Sequence, residues 1–195
     1  MSRAEVRSLC GELGITPEWL KARGLPFHVE ARHLTPVGLG RDGRDKLLHR
    51  PAARAWLKMR TAAAKDGIEL QLVSAFRSYA FQAALIRGKL QRGLTLDEVL
   101  CINAPPGYSE HHAGHAVDIG STDCQPLDEA FEQTAAFTWL SQHATSHGFA
   151  MSYPRGNAQG FLYEPWHWCW RASLASKQSS SPDPDVEDED EDEDD

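Results

Sequence analysis

The sequence predicts an α+β domain, a small antiparallel β-sheet with helices packed around it, from three observations. Apolar residues recur at helical spacing over residues 51–67, they alternate with polar ones over short stretches such as "IELQLVS" and "HAVDIG", and further strand-like pieces crowd together after Gly148. Length agrees, since 195 residues suffice for one domain with a sizeable core.

Residues 1–45 are rich in Gly, Pro and short apolar pieces, as in "LGITPEWLKARGLP". They predict a short helix and loops, an extension wrapping a main domain of residues 46–174. In "PAARAWLKMRTAAAKDG", Ala52, Trp56, Met59 and Ala63 fall at helical spacing between an initiating Pro51 and a terminating Gly67. "IELQLVS" follows, with Ile68, Leu70 and Leu72 alternating as in a half-buried strand. Ser78 is the expected N-cap of "YAFQAALIRGKLQRG", with Phe81, Ala84 and Leu85 on its apolar side, and Thr95 with Glu98 forms a capping box for the next helix. "NAPPGYSEHHAG" is too rich in Pro and Gly for a helix. "HAVDIG" predicts a strand, "FEQTAAFTWLSQHATSHG" one amphipathic helix closed by Gly148, and "FAMSYP" and "GFLYEPWHWCWR" two more strands around a turn at "RGNAQG".

The formal charge of −8 divides unevenly. The last thirteen residues, "DPDVEDEDEDEDD", carry eleven of the 28 acids and no base, so the rest has 20 bases against 17 acids, or +3. A disordered acidic tail is expected over 175–195, because such a run repels itself and buries nothing. No basic block or basic-aromatic platform points to nucleic acid. No run of eighteen apolar residues points to a membrane span, and "MSRAEVRSLCGELG" lacks the apolar core of a secretory signal, so a cytoplasmic location is expected. Cys10, Cys101, Cys124 and Cys169 lie far apart with no CxxC pair, which fits reduced thiols. Nothing in the sequence specifies an oligomeric state.

The chemistry concentrates in "SEHHAGHAVDIG", Ser109 to Gly120. A hydrolytic metal site needs about three His, Asp or Glu ligands, an open position for water and a nearby base. His111, His112, His115 and Asp118 are close in sequence, and "EPWHW" adds Glu164 and His167. Spacing alone does not choose among the three histidines. In an extended segment beyond Gly114, Asp118 and His115 fall on opposite faces, so Asp118 pairs better with a histidine of the loop. Glu164 and His167 would also oppose each other on a regular strand, but Pro165 makes a local irregularity there reasonable.

The pattern Ser109-x-His111-x-x-Gly114-x-Ala116-x-Asp118, followed by Glu164-x-Trp166-His167, resembles the signature of the D-Ala-D-Ala carboxypeptidase family of zinc peptidases, the VanY type. "SAFRSYAFQ" resembles the family segment in which an arginine assists the reaction, and "WLSQHATSHGFAMSYP" its later helix and strand. The resemblance covers roughly residues 50–171. It implies the hedgehog/D-Ala-D-Ala peptidase fold and a catalytic domain over residues 46–174. One zinc ion would be held by His111, Asp118 and His167, with Glu164 as general base and Arg77 steadying the developing oxyanion. Ser109 and Gln82 match positions near a substrate, which would be a peptidoglycan-derived peptide. Cys169 stands where the family more often has a basic residue.

The resemblance implies removal of a terminal D-alanine through a D,D- or an L,D-bond. A phage-type endolysin cutting inside the stem peptide uses the same groups. A zinc-bearing binding module that has lost catalysis is a third reading, disfavoured by the joint presence of Glu164 and Arg77. His112 and His115 are expected in solvent or in contacts behind the ligands. His143 and His147, four apart, are expected to stabilise a helix C-terminus rather than bind metal. Trp166, Trp168 and Trp170 alternate and should line core or pocket wall.

Overall fold

The computed structural model describes residues 1–175; the acidic tail expected beyond them lies outside the described residues. Helices α1 (Arg3–Glu12) and α2 (Pro17–Arg23) start on Ser2 and Thr16, whose hydroxyls accept from backbone N–H groups three residues on. Strands β1 (Leu34–Leu39) and β2 (Asp45–His49) form an antiparallel hairpin, and α3 (Arg50–Lys65) leaves it directly. Helix α3 buries Ala52, Trp56, Met59 and Ala63, the face its spacing predicts. Next come β3 (Gln71–Ser74), α4 (Tyr79–Gln91), α5 (Leu96–Ile102), β4 (Ala116–Gly120), α6 (Ala135–His143), β5 (Phe149–Met151), β6 (His167–Trp170) and α7 (Ala172–Ala175).

Strands β3 to β6 form one antiparallel sheet in the order β3-β4-β6-β5. All five residues of the interior strand β4 are buried. The main core joins Trp56 and Met59 of α3, Val117 and Ile119 of β4, Trp139 and Leu140 of α6, and Phe149 and Trp168 of the last strands. A second cluster joins Cys10, Leu13, Ile15 and Leu20 to Ala83 and Ile86 of α4 and to Val99 and Leu100 of α5. The N-terminal segment therefore has no core of its own. Burying those apolar side chains removes them from water only because α4 and α5 supply the opposite wall. No described helix is long and apolar enough to cross a membrane.

The α+β class is as the sequence predicts, and six local expectations change. A β-hairpin and a second helix occur within the first 49 residues, where a short helix and loops were expected. The strand expected from Ile68 begins at Gln71. Helix α4 buries Tyr79, Gln82, Ala83 and Ile86 and leaves Phe81 49% exposed, because the apolar partner lies on the side of α1 and α5. The Pro- and Gly-rich loop contains a 3-10 turn, Glu110–Ala113. The helix expected from Phe131 to Gly148 is split by a new cap at Thr134, whose hydroxyl accepts from Phe137 N, and its last turn tightens to 3-10 geometry before Gly148 at φ 80°. The final strand is confined to His167–Trp170, since Pro165 offers no N–H for a ladder.

A candidate metal centre

Asp118 sits on β4 directly opposite His167 across the β4–β6 ladder, and opposite Ser74 of β3 beyond a register shift. His111 comes from the 3-10 turn before β4. Gly114 ends that turn at φ 65°, and a Cβ there would lie 2.7 Å from the backbone nitrogen of His49. Glycine is required on both counts. The turn, strand β4 and the first residue of its neighbour β6 thereby bring one ligand atom from each of His111, Asp118 and His167 within 4.8 Å of one another. No other such cluster of three or more His, Cys, Asp or Glu side chains occurs among the described residues.

The ring orientations suit a cation. His111 Nδ1 lies 2.6 Å from the carbonyl oxygen of Ala75, an arrangement that places its proton there. His111 Nε2 is buried without a hydrogen-bond partner, 3.3 Å from Asp118 Oδ2. An orphaned imidazole nitrogen beside a carboxylate costs stability unless a cation takes both. Burial, helped by the Arg77 charge, lowers the His111 pKa to about 4 and keeps the ring neutral, the form that ligates. His167 Nδ1 lies 3.0 Å from Asp118 Oδ1. Burial opposes charge on His167, but hydrogen bonds with Asp118 and Glu110 carry its pKa above the ordinary value. Asp118, though fully buried, is held well below the usual carboxylate range by His111, His167 and Arg77.

Glu164 is turned toward this centre by the bend at Pro165, where His167 N donates to Glu164 O at 3.1 Å. Its Oε2 lies 3.9 Å from His167 Nδ1. Burial raises its pKa to about 7 even though His167 pulls the other way, which matches a group that must take and return a proton near neutrality. The Arg77 guanidinium lies 3.4 Å from Asp118 Oδ2 and 3.2 Å from Gln82 Oε1. Gln82 is buried rather than on the surface, with Nε2 donating to Ala104 O at 2.8 Å. Ser109, Gln82, Arg77, Glu164 and the three candidate ligands line one cleft of ≈190 Å³.

Sequence reasoning left two participants unnoticed. Tyr153 lines the cleft and places its ring 4.7 Å from that of His167. Glu110 is buried behind His167, 3.0 Å from Nε2. It is the only acid between Glu98 and Asp118, and that isolation in an apolar loop was the available signal. The other histidines lie elsewhere. His112 is fully buried, not exposed, with Nδ1 2.6 Å from Arg77 O, and His115 pairs with His49. His143 and His147 pack on the Trp139 ring. Cys169 is buried on β6, and the basic group at that end of the strand is Arg171, which reaches Glu110 at 2.7 Å.

The sequence matches the family described as D-alanyl-D-alanine carboxypeptidase, VanY, over residues 45–173. It is 34% identical over 139 residues to YodJ of Bacillus subtilis (strain 168), covering 69% of this chain and 50% of that protein. The chain thus spans about half the length of that curated relative. Among solved structures, the LdcB LD-carboxypeptidase superposes with a TM-score of 0.67 at 30% identity, covering 79% of this chain and 76% of the other. A vancomycin-resistance D,D-pentapeptidase VanY variant, solved in complex with Zn(II), shares the fold at 22% identity and a TM-score of 0.57, with 79% and 86% coverage.

Proposed function

The chain belongs to the VanY family of D-alanyl-D-alanine carboxypeptidases, and from that premise we propose that it is a zinc-dependent carboxypeptidase releasing D-alanine from peptidoglycan-type peptides. The observation that carries the proposal is the gathering of one ligand atom from each of His111, Asp118 and His167 within 4.8 Å, with Glu164, its pKa raised by burial to about 7, beside them. His111, Asp118 and His167 would hold the ion. Two imidazoles and a carboxylate are a donor set that zinc accepts while keeping a position open. The zinc complex of the similar VanY variant supports the choice of metal. A zinc ion held by these residues would supply Lewis acidity that lowers the pKa of a bound water toward neutrality.

Each remaining role belongs to a residue of the cleft. Glu164 accepts the proton of the attacking water and returns it to the leaving amine. The Arg77 guanidinium balances negative charge that develops on the scissile carbonyl oxygen, and Gln82 holds that guanidinium in place. Ser109 and Tyr153 line the wall against which the peptide lies. Whether the penultimate residue is D or L is the finer question, and the likeness to an LD-carboxypeptidase at 30% identity supports the L,D reading.

Defined tri-, tetra- and pentapeptide stems incubated with the zinc-loaded protein and followed by mass spectrometry test the proposal. Free D-alanine is the expected product; cleavage inside the stem identifies an endopeptidase, and no cleavage of any stem leaves a binding module. Glu164→Gln is expected to slow hydrolysis by ~10²–10⁴-fold.

A further inference from the structure

Both nitrogens of the His167 ring end on carboxylates, Nδ1 on Asp118 and Nε2 on Glu110, each at 3.0 Å. Nδ1 is the nitrogen on the side of Asp118 and Glu164. Glu110 lies behind the ring, its side chain 8% exposed, and three neighbours hold it. Arg171 Nη2 donates to Oε1 at 2.7 Å, while the Ser152 hydroxyl and His167 Nε2 both reach Oε2. Arg171 Nη2 also lies 3.2 Å from Ser152 Oγ. One carboxylate therefore ties the turn that carries His111, the residue following β5 and both ends of β6.

An imidazole ligates through the nitrogen that carries no proton, and the partner of its other nitrogen decides which one that is. A carboxylate can only accept, so each of the two favours a proton on the nitrogen it faces; a cation shared by Asp118 and Nδ1 would take that place on one side and leave Glu110 to fix the proton on Nε2. We propose that Glu110 is a positioning residue that holds the His167 proton on Nε2 and so presents the Nδ1 lone pair to the metal, with Arg171 and Ser152 keeping Glu110 in register. The assignment rests on the reading of His167 as a ligand and uses the buried acid that none of the roles above employs. His111 obtains the same effect from a neutral acceptor, the Ala75 carbonyl. Loss of a partner behind a ligating histidine commonly costs 10–100-fold in metal affinity.

Zinc affinity, measured by competition with a chromophoric chelator, tests this without reference to catalysis. Glu110→Ala should weaken zinc binding by about 10–100-fold, with circular dichroism and metal-free melting reporting an intact fold. Glu110→Gln, which keeps an acceptor oxygen, should recover part of the loss, and Arg171→Ala should give a smaller loss than Glu110→Ala. In the zinc-loaded native protein, long-range proton–nitrogen NMR should find His167 protonated at Nε2 and metal-shifted at Nδ1. That measurement decides the matter even if Glu110→Ala does not fold. Wild-type affinity in a folded Glu110→Ala protein, or zinc bound at Nε2, overturns the proposal and leaves the metal centre standing. Undiminished zinc binding by His167→Ala overturns the metal centre itself and this proposal with it.

Discussion

Among the described residues two pairs of histidine rings meet, and one of them is furnished for a cation. The rings of His111 and His167 lie 4.9 Å apart and those of His49 and His115 5.2 Å apart, so imidazole density does not separate them. Their surroundings do. Asp118 reaches a nitrogen of both rings in the first pair, and Glu110 and Glu164 approach His167 from two further directions. In the second pair, His115 Nε2 faces His49 Nδ1 at 3.2 Å, and among the described residues no carboxylate oxygen lies within 4 Å of a nitrogen of either ring. The two facing nitrogens there satisfy each other, whereas His111 Nε2 makes no hydrogen bond although Asp118 Oδ2 lies 3.3 Å away. Anionic oxygens, rather than the number of imidazoles, mark the centre.

The largest effect should come from breaking the first pair. His111→Ala or chelation of the metal should abolish hydrolysis, with zinc restoring only the chelated protein, while His115→Ala should still bind one zinc per chain by titration. Retention of stoichiometric zinc by His111→Ala would contradict the assignment. Next in size, Arg77→Ala should lower kcat by ~10²–10³-fold with a smaller change in KM, as expected for a group acting on charge that appears during the reaction.

Smaller effects concern stability of the metal-free protein. The Glu164 pKa, raised by burial to about 7, means that the unfolded chain releases this proton at lower pH than the folded one. Stability from this group is present below pH ~4.5 and is lost as pH rises through about 7. Glu164→Gln should therefore stabilise the metal-free protein more at pH 8 than at pH 5, by a difference on the order of 2 kcal/mol, read from denaturant unfolding at the two pH values. His115 is the opposite case. Burial and the neighbouring His49 lower its pKa to about 4, so the unfolded state binds the proton first and stability falls as pH drops from 6.5 toward 4. His115→Gln should flatten that fall by about 1 kcal/mol, reduced by solvent screening, and leave zinc affinity unchanged.

Much of this was legible along the chain. Ser78 and Thr95 announce α4 and α5 because a cap satisfies orphaned N–H groups locally, and both hydroxyls accept the bonds expected of them. The buried face of α3 follows from 3.6-residue periodicity. The face of α4 did not follow, because its partner is the N-terminal segment, more than sixty residues away, and local apolarity at Phe81 was no guide to where that partner lies. The break at Thr134 escaped notice for a related reason: a single cap residue inside a helical pattern outweighs the pattern only when the preceding turn has its own place to pack, as Phe131 does in the main core.

The candidate site divides in the same way. By itself the sequence determined residue types suited to a metal-assisted hydrolase and the order in which they occur, since these depend on chemistry and not on long-range packing. Only the tertiary structure decided which nitrogen of each ring faces inward, that Glu110 rather than His112 stands behind His167, and that Glu164 is buried enough to hold its proton near neutrality. Those outcomes depend on which atoms of distant strands face each other and on how much water remains between them, and no spacing along the chain encodes either quantity.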